Sequence, residues 1–82
     1  MPNAISNLPP LAEYDDLKSA QKKLKRIYPT VESIRWAIRI HRDNLAACGG
    51  LIMVAGRQMI HVGLMEQVIV EAGRQVVRGA RV

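Results

Sequence analysis

Pro29 and the Gly49–Gly50 pair limit most strongly what this chain can fold into, because each ends whatever element runs into it. Proline removes a backbone donor, fixes φ, and pushes the preceding Tyr28 out of helical geometry. Glycine supplies the left-handed conformation that closes a helix. An 82-residue chain cut in this way has room for one small domain of short elements, not for a multi-domain enzyme or a broad cofactor-binding sheet. Tyr14, Tyr28 and Trp36 are the only aromatics and Phe is absent, so the core has to come from Leu, Ile, Val and Met. The lone Trp36 is expected to anchor that core, with base stacking as the second reading.

Residues 1–12, MPNAISNLPPLA, carry three prolines and no charge, which predicts an extended arm before a domain at 13–77 and a basic tail at 78–82. Asp15 or Asp16 can cap a first helix whose buried stripe is Leu17, Ala20, Leu24 and Ile27. Residues 28–30 form a tight corner, and Thr30 is placed to cap a second helix over 31–44. Val31, Ile34 and Ile38 share its inner side, while Arg35, Arg39 and Arg42 recur on another. Beyond the glycine pair, 51–54 and 59–62 predict a hairpin with Gly56 and Arg57 in its turn. A third helix starts near Gly63, with Leu64, Met65, Val68, Ile69, Ala72 and Val76 on its stripe and Val70 and Val77 off it.

Charge is concentrated. The net charge is +5, but the window 17–42 holds eight bases against Glu32 alone, a local balance of +7, and the rest of the chain sums to −2. Such a patch is the electrostatic footprint of a phosphate-backbone binder, a solvated lysine-rich helix face being the plainer alternative. Helix, turn, helix, hairpin and helix in this order give an α+β winged helix-turn-helix, whose second helix enters the major groove. On that reading Thr30, Glu32, Ser33 and Arg35 face base edges, while Arg39 and Arg42 face phosphates. Arg57 sits on the wing, and Lys18, Lys22 and Lys23 grip the backbone beside it.

Other chemistry finds little support in the sequence. His41, Cys48 and His61 fall short of a four-ligand zinc site, so neither metal nor cofactor is expected. No compact motif equips Ser6, Ser19, Ser33 or Cys48 as a nucleophile, so an enzyme is not expected either. Residues 50–57 lack the order of a phosphate loop. Met53, Met59 and Met65 are taken as aliphatic filling. The N-terminus shows neither a basic segment nor a long apolar run, and one cysteine suits a reducing compartment, so a cytoplasmic, nucleoid-associated protein is expected.

The stretches SIRWAIRIHRDNL and GGLIMVAGRQMIHV resemble the AlpA-like and excisionase-like DNA-binding proteins of integrated mobile elements, which have a MerR-like winged-helix fold. Ile34, Arg35 and Trp36 match the helix start of that pattern, and Asn44 and Leu45 its helix end. Gly50 and Leu51 match the strand start, and Gly56, Arg57 and Ile60 the turn and second strand. The final helix departs from the pattern, with Val62 and Gly63 where an Asp is common, and Met65 and Ile69 where aromatics are usual. The resemblance implies an excisionase that bends attachment-site DNA for a tyrosine integrase, binding head to tail, or else a transcriptional regulator of the element. The short chain favours the first. A reading from another class is a small basic protein-interaction module using Val70, Val77 and the last helix.

Overall fold

The computed structural model describes residues 8–79, so that only residues 8–12 of the predicted arm at 1–12 and residues 78–79 of the predicted tail at 78–82 are described, and the remainder of both lies outside the described residues. A 3-10 turn, Leu11–Glu13, leads into β1 (Asp15–Asp16), α1 (Leu17–Lys23), α2 (Val31–Ile40), α3 (Arg42–Cys48), β2 (Leu51–Val54), β3 (Arg57–Ile60) and α4 (Val62–Gly79). The fold is α+β, a helix-turn-helix followed by a hairpin and a last helix. Its sheet is antiparallel in the order β1-β3-β2, so β3 is the central strand.

Local chemistry sets most boundaries. Asp16 caps α1 by accepting the Ser19 N–H at 2.8 Å. That bond, first, and the charges of Arg57 and Lys18, after it, hold the Asp16 carboxyl below its ordinary value. Thr30 caps α2 reciprocally: its Oγ1 accepts from Ser33 N–H, and the Thr30 N–H donates back to Ser33 Oγ. Gly49, at φ +82°, closes α3, and the Gly49 and Gly50 N–H groups donate to the Ala46 and Leu45 carbonyls. His61 starts α4, its Nδ1 accepting from Leu64 N–H at 3.0 Å while Nε2 meets Glu13 at 3.1 Å.

The core gathers Ala20 and Leu24 after β1, Ile34, Ala37 and Ile38 from α2, Leu45 from α3, Ile60 from β3 and Met65 from α4. Tyr14 is buried beside it, and its hydroxyl donates to the Gly49 carbonyl, tying the segment before α1 to the end of α3. The one buried polar side chain among the described residues, Gln21, donates to the Tyr28 carbonyl and so closes the corner between α1 and α2.

Several expectations require correction. The first helix ends at Lys23, not at Pro29, because Leu24 leaves helical geometry, and Ile27 is exposed instead of joining the stripe. The α1–α2 connection is therefore 24–30, longer than the predicted 28–30. The second helix breaks at His41 (φ −101°, ψ 19°), so Arg42 opens α3 instead of continuing α2. Trp36 lies outside the core at 59% exposure, because Ile34, Ala37 and Ile38 already occupy the inner face. Val76 is exposed, Met65 near the start being the one buried residue of α4 among those described, and that helix continues to Gly79 with Arg78 in its final turn.

The hairpin is tighter than its sequence indicates. The turn is Ala55–Gly56 alone, both residues at positive φ, and Val54 pairs with Arg57. Arg57 is therefore the first residue of β3, not the tip, and His61 and Val62 fall outside the strand. Two positive φ values define the turn type that Asn-Gly serves best, and alanine at φ 51° is strained there. Ala55→Asn is expected to stabilise the protein by about 0.5–1 kcal/mol, seen as a higher urea midpoint. A midpoint that stays or falls refutes this account of the turn.

Candidate nucleic-acid interface

Basic side chains meet on the face where α2, the start of α3 and the hairpin converge. Arg35, Ile38, Arg39, Arg42 and Gln58 line one shallow concavity of about 230 Å³. Asp16, Leu17, Lys18, Arg57 and Gln58 line a second. Gln58 borders both, so the arginines of the helical corner and the Lys18–Arg57 pair belong to one continuous surface. The break at His41 leaves Arg42 in this arrangement, beside Arg39.

Pairing separates the cations further. Among the described residues Lys18, Lys22, Arg39, Arg42 and Arg57 have no carboxylate within ion-pair distance, whereas Lys23 is held by Asp15 at 2.8 Å. Helical spacing puts Lys18 and Lys22 on the same side of α1 and Lys23 more than a quarter-turn away. Arg35 has a loose partner one turn back, Glu32 at 3.7 Å, although it has none one turn on. Both are exposed, so the pair is weak and yields readily to a stronger anion. On α4, Arg74 is held by two bonds to Glu71, at 3.0 and 2.8 Å.

The predicted base-facing residues differ in availability. The Ser33 hydroxyl is occupied, since Oγ donates to the Thr30 carbonyl at 2.6 Å and accepts from its N–H, and Thr30 Oγ1 accepts in return. Both residues order the start of α2. Glu32 and Arg35 point outward and are free to reorient. Sequence reasoning missed Gln58, because a hairpin register two residues off placed it in the turn instead of the strand. It also set Trp36 aside, though the three- and four-residue spacing of Ile34, Ala37 and Ile38 was enough to place the indole outside.

What this surface can do is bind a ribbon of negative charge. Guanidinium groups from two helices and a hairpin, spread over two adjoining shallow concavities, suit successive phosphates better than a small ligand. No helix among the described residues is long and apolar enough to cross a membrane. Comparison with known proteins gives no matching family model, no matching curated protein and no matching solved structure.

Proposed function

We propose that this protein binds double-stranded DNA sequence-specifically, with α2 in the major groove, the β2–β3 hairpin as wing, and Lys18 and Lys22 on the flanking backbone. The observation that carries this reading is the shared border at Gln58, which unites Arg39 and Arg42, without a carboxylate partner among the described residues, with Lys18 and Arg57 on a single face. Gln58 itself has the donor and acceptor needed for a bidentate contact to adenine. The fold has the element order that such docking uses.

Within that class, the resemblance to excisionase-like proteins favours a recombination directionality factor. It bends attachment-site DNA, assists a tyrosine integrase and carries out no bond chemistry. The exposed Val70, Val76 and Val77 of α4 support contacts between copies placed head to tail along the duplex. The compartment would be the cytoplasm, at the nucleoid. An AlpA-like regulator uses the same surface, and an excision assay with the purified integrase of the element separates the two roles.

Salt tests the DNA reading directly. Five phosphate contacts, from Lys18, Lys22, Arg39, Arg42 and Arg57, correspond to a slope of log affinity against log salt of about −4.5. Affinity for a labelled duplex, followed by fluorescence anisotropy, should then fall about 500-fold between 50 and 200 mM salt, taking ~0.9 ions released per contact. A complex indifferent to salt refutes the proposal, and saturable binding to an acidic protein surface in its place would establish the interaction-module reading.

A further inference from the structure

We infer that Trp36, with Ile40 one turn on, forms an apolar contact site for the C5-methyl groups of thymine in the major groove. The inference rests on the DNA-binding reading and deepens it, naming the base chemistry that the second helix prefers. Trp36 is 59% exposed and Ile40 56%, on a helix whose buried residues are Ile34, Ala37 and Ile38. At 3.6 residues per turn, Trp36 lies within about 30° of the direction opposite that buried stripe, and Arg39 about 60° round from Trp36. The indole therefore stands near the outermost line of α2, with Glu32 and then Arg39 round from it on one side and Ile40 on the other. With Arg39 on the phosphates of one groove wall, the indole is directed towards the floor of that groove.

The chemistry of that floor selects the partner. Thymine is the only base that presents a methyl group in the major groove, while cytosine and adenine present amino donors and guanine presents acceptors. An indole has one donor and no hydrogen-bond acceptor, so it cannot satisfy the amino groups, and its broad face gains by covering a methyl. Ile40 extends the apolar strip by one turn and also has no polar atom. A protein partner would have to bury this strip beside the guanidinium of Arg39, which has no carboxylate partner among the described residues. A duplex supplies apolar methyls and phosphates at the spacing of one groove, so charge complementarity points to DNA.

The test begins by selecting a binding duplex from a random library with the full-length protein, then replacing each thymine of that site by deoxyuridine. Uridine keeps every hydrogen bond and loses only the methyl. One or two positions should each cost about fourfold in affinity, corresponding to ~0.8 kcal/mol per buried methyl. Trp36→Ala should bring those thymine-to-uracil ratios close to one, and Trp36→Phe should keep part of the preference. Trp36 is the only tryptophan of the chain, so its emission should shift on addition of the selected duplex. Equal affinity of the wild type for thymine and uracil duplexes overturns the inference and leaves the DNA-binding reading standing. Unaltered affinity and discrimination in Trp36→Ala also overturns it, the indole then having no part in reading the duplex. If no duplex is enriched by the selection, both readings fail together.

Discussion

Replacing Ile60 by alanine should remove roughly half of the stability of this protein. Ile60 is fully buried on the central strand β3, where Asp15 pairs on one side and Leu51 on the other. Its side chain joins the cluster through which the sheet holds α1, α2, α3 and α4. Truncating such a residue costs about 2–5 kcal/mol, as lost transfer energy plus a cavity that small rigid neighbours fill poorly. An 82-residue domain has about 4–12 kcal/mol in total, at ~0.05–0.15 kcal/mol per residue. The urea midpoint, followed by far-UV circular dichroism, should therefore move far towards zero. Met53→Ala, on the exposed side of β2, should lower the stability by no more than about 0.5 kcal/mol. Equal effects at the two positions would mean that the sheet is not packed on the helices as described.

The residues that define this core were partly legible in the sequence, and those that were not share a cause. The cap at Thr30 and the stop at Gly49–Gly50 are local, stated by neighbours within three residues, and both hold in the structure. β1 is different. Two successive aspartates show no strand pattern, and what brings them to β3 is the Tyr14 hydroxyl reaching Gly49, 35 residues away. The break at His41 has neither proline nor glycine to announce it. The first strand of the hairpin is legible at 51–54, whereas the second is expected two residues late, since alanine seldom occupies the first position of such a turn. That slip moved Arg57 to the tip and hid Gln58, which the structure sets between the two basic concavities. Along the site, residue types were readable from charge and helical spacing, whereas their convergence depends on long-range pairing that sequence periodicity does not encode.

The largest effect on binding is expected at Arg39. Its guanidinium has no carboxylate partner among the described residues and lines the concavity between Arg35 and Arg42, so no described carboxylate competes with a phosphate for it. A hydrogen bond to a charged group contributes about 1.5–3 kcal/mol, so Arg39→Ala should weaken duplex binding by about 10- to 150-fold. The same change removes one phosphate contact and should flatten the salt slope by ~0.9. Arg39→Glu should weaken binding further, because a carboxylate then faces the backbone at close range. Arg35→Ala should act differently: as a base contact it changes discrimination among mutated sites by about 1–3 kcal/mol, with a smaller effect on the salt slope. Two variants calibrate the comparison. Lys23 is committed to Asp15 and Arg74 to Glu71, so Lys23→Ala and Arg74→Ala should leave affinity and slope near those of the wild type. If Arg39→Ala binds as tightly as Arg74→Ala and with the same salt dependence, the face built around Gln58 does not contact DNA.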